Sequence, residues 1–293
     1  MRKSSLQGSL MLLLTALIWG LAFVAQSVGM EYVGPFTFNA VRFLIGGFVL
    51  MPCIALLRHF RPERVSLQDR SSRKKISLQG GLACGCCLFA ASSLQQIGIM
   101  TTTVGKAGFI TAMYIVFVPI LGIFLGKRVT LPVIGGVLLA VAGMYLLCIT
   151  DGLSIGRGDL LVLFCAVVFA VHILVIDHYS PKGDGLMISC VQFLTAGLLS
   201  TVCMLACETP QLSDILAAGA PILYAGILSC GVAYTLQVLA QAKVEPVLAS
   251  LICSLESVFA LLGGWVLLGQ QLSGRELLGC LLVFAAVLIV QLL

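Results

Sequence analysis

Glu256, Arg42, Lys106 and His172 are ionisable side chains set inside long apolar runs. A charged group at the centre of a bilayer costs about 2.5–3.5 kcal/mol on insertion scales, so each calls for a partner or a task. Glu256 falls near the middle of the run Val247–Leu268, on a helical face kept small by Cys253, Ser257 and Ala260. Two readings of it stand: a carboxylate that binds a cation or a coupling proton, or a hydrogen bond joining two parts of the chain. Arg42 lies seven residues into Pro35–Leu57, ~10 Å from the end of that run at helical rise. It can take a substrate carboxylate, pair with an acid such as Glu256, or snorkel outward. Lys106 is closer to the end of its run, where snorkelling is easy. His172 is placed to relay a proton near neutral pH or to bond a neighbouring helix. Gln26, Gln95, Gln96, Gln192, Gln237 and Gln241 are amides that orient polar ligands or join membrane helices. Trp19, Phe23, Tyr114, Phe169 and Tyr234 offer aromatic walls of the kind that favour a cation.

Enzymatic chemistry finds little support in the same residues. His172 and Asp177 have the spacing of a His-x4-Asp pair, but five helical residues turn through about 500°, leaving the two side chains ~140° apart. Gly156-Arg157-Gly158-Asp159 matches a Gly-x-Gly-Asp protease motif, yet no Tyr-Asp partner occurs and Asp159 stands where a helix cap belongs. No His-Glu-x-x-His or Gly-x4-Gly-Lys-Ser/Thr is present. Without a nucleotide-binding loop, energy for any transport must come from a gradient. The cluster Cys84-Gly85-Cys86-Cys87 lacks a second Cys/His pair at ligand spacing, so no metal and no cofactor is expected. The twelve cysteines fall mostly in apolar runs, as packing residues rather than disulfide partners.

The elements that position these residues follow from composition. Of 293 residues, 60% are hydrophobic and 10% charged, with a mean hydropathy of +1.11. Soluble domains carry about 25% charge, so a soluble enzyme, a disordered chain and a nucleic-acid binder are all excluded. The chain reads as an all-α polytopic membrane protein. Ten apolar runs are each long enough for a span of ~20 residues: Leu6–Val28, Pro35–Leu57, Leu78–Ile99, Val104–Leu125, Leu131–Thr150, Asp159–Ile176, Leu186–Cys207, Ala218–Leu239, Val247–Leu268 and Glu276–Leu293. The first follows Arg2 and Lys3 like a signal peptide but ends in no clean cleavage site, and is expected to stay as a helix. With the N-terminus inside, the cytoplasmic segments hold thirteen of the seventeen Lys and Arg residues, and the outer loops hold only Arg157 and Arg275. That imbalance predicts an N-in, C-in topology. The basic stretch from Arg58 to Lys75 then lies over anionic lipid.

The second half of the chain replays the first. Gly126-Lys127-Arg128-Val129-Thr130 precedes Gly136 as Gly269-Gln270-Gln271-Leu272-Ser273 precedes Gly279, and Tyr114–Pro119 stands at the same offset from Ser257–Leu262. Ala16–Phe23, with Trp19, lines up with Ala166–Ile173, with Phe169. Two five-span repeats are expected, residues 1–150 and 151–293. An odd number of crossings inverts one against the other, which puts a binding site near the midplane between them.

These stretches carry a resemblance. Leu17–Phe23 in span one, Pro35 and Arg42 in span two, Lys106–Phe109 and Val118-Pro119 in span four, and Ser254–Phe259 before Gly269 resemble the drug/metabolite transporter superfamily, in particular its ten-helix EamA-type members. The chain departs from the family at Gly269-Gln270-Gln271-Leu272, where Gly-Glu-x-Leu is frequent, and at Ser257, where proline is frequent. The resemblance implies a secondary transporter in the plasma membrane. It would carry small polar or amphipathic metabolites, amino acid-like, amine-like or drug-like, by alternating access in the export direction. A channel and an intramembrane enzyme are the alternatives, and the oligomeric state is left open. The expected substrate-binding residues are Trp19, Gln95, Tyr114, His172, Gln237 and Glu256, each polar or aromatic and each in a span that borders the expected cavity.

Overall fold

In hydrocarbon a backbone can satisfy its own polar groups only as a helix or a closed barrel, and these apolar runs take the helical solution. The computed structural model describes residues 6–60, 67–102, 104–127, 129–148, 156–268 and 273–292. The Gly269–Leu272 loop and the basic residues Arg2, Lys3, Arg61, Arg64 and Arg128 lie outside the described residues. In chain order the helices are α1 (Leu6–Gly29), α2 (Pro35–Phe60), α3 (Leu67–Ile99), α4 (Val104–Ala112), α5 (Tyr114–Phe124), α6 (Leu131–Cys148), α7 (Arg157–Tyr179) and α8 (Gly185–Cys207). Then come α9 (Leu212–Ala217), α10 (Gly219–Leu223), a π-helical segment (Tyr224–Tyr234), α11 (Thr235–Gln241), α12 (Pro246–Cys253), α13 (Glu256–Leu268) and α14 (Gly274–Leu292).

Among the described residues, eight helical stretches are long and apolar enough to cross a membrane. The other two expected spans are apolar helices of shorter reach, Leu131–Leu146 within α6 and Leu277–Val290 within α14. Two expected spans are interrupted. Met113 breaks the fourth between α4 and α5, and Ser254-Leu255 breaks the ninth between α12 and α13. The eighth is α-helical at both ends and π-helical in its middle.

The chain ends its helices with local devices. Asp184 caps α8, its carboxylate accepting from the backbone N–H of Leu186 and Met187. Pro246 opens α12 at a position where its missing N–H costs nothing. Gly126, at φ 75°, closes α5: its N–H bonds the Ile123 carbonyl and that of Lys127 bonds Gly122. The start of α2 is capped from a distance. Glu208, just past the end of α8, accepts from the N–H of Phe36 and Thr37 and from the Thr37 hydroxyl, at 2.9, 2.8 and 2.6 Å.

Glycine lets the helices meet closely, as membrane packing requires in the absence of a hydrophobic drive between spans. α1 lies so near α13 that a Cβ on Gly20 would stand 2.5 Å from Phe259 Cβ and 2.7 Å from the Glu256 carbonyl. A Cβ on Gly143 of α6 would stand 2.8 Å from the Gly279 carbonyl of α14. α2 packs on α8, α6 on α14, α3 on α7 and α8, and α1 on α13 and the π segment. Large apolar side chains such as Phe124, Leu131, Leu198 and Phe284 face outward, where lipid replaces water.

Charge fastens one helix pair at both ends. Lys106 of α4 meets Asp159 of α7 at 2.6 Å, and Lys127 beyond α5 pairs with Asp177 near the other end of α7. Asp159 also accepts from the Thr102 hydroxyl at 2.6 Å and from the Gly156 N–H at 2.8 Å. Its carboxylate thus serves as the helix cap read from the sequence and as an ion-pair partner. Lys106 is accordingly tied to a neighbouring helix instead of simply snorkelling. Replacing Asp159 with alanine strips three partners from one nearly buried site. A stability loss of about 1–3 kcal/mol is expected, measured as a lower Tm in detergent micelles; an unchanged Tm would rule out the fastening role.

Candidate functional site

The two helix breaks face one another. Tyr114 opens α5 immediately after the Met113 interruption, and Glu256 opens α13 immediately after Ser254-Leu255. The Tyr114 hydroxyl donates to Glu256 Oε1 at 2.9 Å, fully inside the protein. At the second break the Ser254 and Ser257 hydroxyls turn back onto the carbonyls of Leu251 and Ser254, at 2.7 and 2.8 Å. Serine side chains compete in this way for carbonyls the helix would otherwise use. Glu256 therefore sits in the first turn of α13, where the N–H groups of Ser257 and Phe259 bond back to the carbonyls of Ser254 and Leu255.

Around this pair lies a cavity of about 460 Å³ of empty volume, counting the space at its open mouth. Trp19, Phe23 and Gln26 reach it from α1, Arg42 from α2 and Gln95 from α3. Thr111 and Tyr114 come from α4 and α5, Phe169 and His172 from α7, Ser229 and Tyr234 from the π segment, Gln237 from α11, and Glu256 from α13. All six residues singled out in the sequence line this cavity: Trp19, Gln95, Tyr114, His172, Gln237 and Glu256.

Aromatic rings form its wall. Trp19 and Tyr234 lie with centroids 4.5 Å apart, and the His172 ring stands edge-on to Tyr234 at 6.1 Å and to Phe169 at 6.3 Å. Several polar groups are held by one bond only. Gln95 donates to the Thr111 hydroxyl at 3.1 Å. His172 Nε2 meets Gln192 Oε1 at 3.1 Å, so with that oxygen accepting, Nε2 carries the proton and Nδ1 is left an acceptor. Among the described residues, five buried atoms of cavity-lining side chains have no hydrogen-bond partner: Trp19 Nε1, Gln26 Oε1, Arg42 Nε, His172 Nδ1 and Gln237 Oε1. Eleven other buried polar atoms, on side chains that do not line the cavity, are unpaired as well, but these five border space that a polar ligand can enter.

The pairing of Arg42 with Glu256 raised by the sequence is not made. Among the described residues, Arg42 has no carboxylate within ion-pair distance, and Glu256 is held by Tyr114. Neither the two breaks nor the π segment is signalled by proline or by a run of polar residues. Thr111 and Ser229 carry no signal either, because isolated hydroxyls are ordinary in membrane helices. Among the described residues no group of three or more His, Cys, Asp or Glu side chains is placed to hold a metal ion.

The EamA-like transporter family model matches this chain twice, over residues 6–149 and 156–292. The chain belongs to the EamA-like transporter family. An uncharacterized transporter of Archaeoglobus fulgidus is 32% identical over 98% of this chain and 86% of its own length. The uncharacterized transporter YoaV of Bacillus subtilis is 21% identical over 91% of this chain and 90% of its own. A solved crystal structure shares the fold, with a TM-score of 0.76 at 20% identity over 97% of this chain and 96% of that one. This EamA-like protein is thus a multi-pass membrane transporter of the drug/metabolite transporter superfamily, and its family and relatives are transporters rather than enzymes.

The bond between the two breaks has a measurable energy. A double-mutant cycle of Tyr114→Phe and Glu256→Met, each of which removes the bond, followed by thermal unfolding, should give a coupling of about 1–3 kcal/mol, since both groups are buried and in contact. Additive losses would mean that the bond holds nothing.

Proposed function

We propose that this EamA-like protein is a secondary transporter in the plasma membrane, exporting small polar or amphipathic metabolites by alternating access. The single observation that carries the reading is the cavity lined from both halves of the chain, five of whose buried polar atoms have no partner among the described residues. Its mixed wall suits a molecule with an apolar body and polar ends: Trp19, Tyr114 and Tyr234 give contact area, and Gln95, Gln237 and His172 give orientation. The alternatives of a channel and an intramembrane enzyme lack a comparable observation.

Alternating access requires two inverted halves, residues 1–150 and 151–293, with both termini inside. The helix pairing supports this. Exchanging the halves maps α2 onto α8 and α6 onto α14, and each of these pairs packs on itself. The same exchange turns the contact of α3 with α7 into that of α1 with the π segment and α11, and the contact of α4–α5 with α7 into that of α12–α13 with α1. Both broken spans are fourth in their half. Interrupted helices at equivalent places in inverted repeats are where carriers hold substrate and ion.

Within this reading Glu256 is the proton-coupling carboxylate. Glu256→Gln preserves shape and the bond from Tyr114 but cannot ionise. The variant is expected to fold and bind while its transport loses dependence on pH, measured as counterflow in proteoliposomes at several pH values. An unchanged rate and pH profile would make the carboxylate structural. Saturable exchange of labelled substrate is the mark of a carrier; unsaturable flux would favour the channel. Alanine at each of Trp19, Gln95, Tyr114, His172, Gln237 and Glu256 should leave most variants expressed and lower exchange at least about tenfold, the equivalent of 1.4 kcal/mol. Wild-type exchange in most of the six would put the substrate elsewhere.

A further inference from the structure

Arg42 is 2% exposed, so its guanidinium does not reach the membrane surface, and the snorkelling account fails. It lies over the rings of Phe43 and Phe38, 4.7 and 5.5 Å from their centroids, and both rings are fully buried. Ring faces attract a cation without neutralising it. Its Nε has no hydrogen-bond partner, and no ion pair to it exists among the described residues. A structural arginine inside a membrane pairs with an acid or with carbonyl groups; this one is given two rings and a cavity wall. Its backbone is pinned there. The π segment sits against it so closely that a Cβ on Gly226 would stand 3.1 Å from the Arg42 carbonyl.

A guanidinium is a planar fork of donors that matches an oxyanion in two parallel bonds. Neither lysine nor a second arginine lines the cavity, and Glu256 lines it too. One positive charge opposite a carboxylate suits a singly charged group better than a dianionic phosphate. We propose that Arg42 is the docking group for a carboxylate on the transported molecule, so that the substrate is an organic acid or zwitterion and not a simple cation. The inference rests on the transporter reading above. The carboxylate takes one edge of the fork in two parallel bonds, displaces no internal partner, and leaves the apolar body of the molecule against Trp19 and Tyr234.

A cation held without a counter-charge is a cost to the ligand-free protein, which yields a test needing no known substrate. Purified R42Q and R42M, free of ligand, should unfold at the wild-type temperature or above it. A fall of several degrees in both would show that Arg42 holds the fold together, and would overturn the proposal. The second arm is a thermal-shift panel of matched carboxylic acids, their methyl esters and the corresponding decarboxylated amines, with aliphatic and aromatic bodies. Stabilisation by acids, lost on esterification and weakened at least about tenfold in R42Q, is the expected result; R42K, which keeps the charge but not the fork, should fall between. Shifts from esters or amines equal to those from acids, acids binding R42Q as they bind wild type, or no shift from any acid would each overturn it. If the acids bind through Arg42 but show no counterflow in proteoliposomes, the transporter reading fails and the docking role stands.

Discussion

A single hydrogen bond, from Tyr114 to Glu256, lies at the meeting point of two helices that both stop and restart inside the bundle. A break in a membrane helix frees backbone groups that water cannot reach, and it is tolerated only where protein or a cavity receives them. Here the backbone bridges each break with tighter three-residue bonds, Val116 to Met113 and Ser257 to Ser254, and a buried donor and acceptor tie the two breaks together. Most of the site follows from that. Restarting α13 at Glu256 puts a carboxylate at a helix N-terminus, and restarting α5 at Tyr114 points a hydroxyl toward it. With Glu256 so occupied, Arg42 is left to the cavity. A continuous ninth helix would bury the same glutamate with no such donor arranged for it.

The second constraint is close approach. α1 carries Trp19 and Gln26 into the cavity only because Gly20, between them, lets the helix lie against the Glu256 and Ala260 backbone and the Phe259 Cβ of α13. On the other side, Gly46 and Gly226 bring α2 against the π segment, where a Cβ on Gly46 would stand 2.7 Å from Cys230 Cβ. A π-helix has a wider turn than an α-helix and is uncommon beyond a single turn. The eleven residues from Tyr224 to Tyr234 place Ser229 and Tyr234 on the cavity wall and return to α-helix at Thr235, in time for Gln237 to reach the same wall. Small residues thus position the polar ones, although they carry no chemistry themselves.

Much of this was legible in the sequence. The helical spans follow from hydropathy, which is set by local composition, and their observed ends fall within a few residues of the apolar runs except at α3, whose helix starts at Leu67, eleven residues before the run at Leu78, in a polar stretch that hydropathy does not mark as helical. The cavity residues were legible because polar and aromatic groups stand out against an apolar background, and because the repeated pattern named the spans that face each other. The breaks at Met113 and Ser254-Leu255 were not. No proline or glycine stands at either, and they depend on tertiary contacts that no short window contains. The partner of Glu256 was hidden for the same reason, since Tyr114 lies 142 residues away. Lys127 and Asp177, 50 residues apart, gave no sign of pairing, and Asp177 drew notice only through its spacing from His172.

The two halves, under the proposed repeat, are not electrostatic copies. At the offsets that align them, Lys106 and Lys127 correspond to Ala249 and Gln270, and Asp159 and Asp177 to Ser9 and Ser27. Both charged fasteners therefore join α4–α5 to α7, and the four aligned positions in the contact of α12–α13 with α1 carry no charge. That contact includes the glycine-mediated approach at Gly20 and apolar side chains. The two kinds of contact respond differently to sliding. Tight packing loses attraction within an ångström of displacement. An ion pair with a partly exposed lysine, such as Lys127 at 34%, loses little as the pair separates into water. The Lys127–Asp177 pair can part at small cost, whereas Asp159, nearly buried and with three partners, holds the Lys106 end. The asymmetry comes from four side chains and leaves the backbone plan untouched.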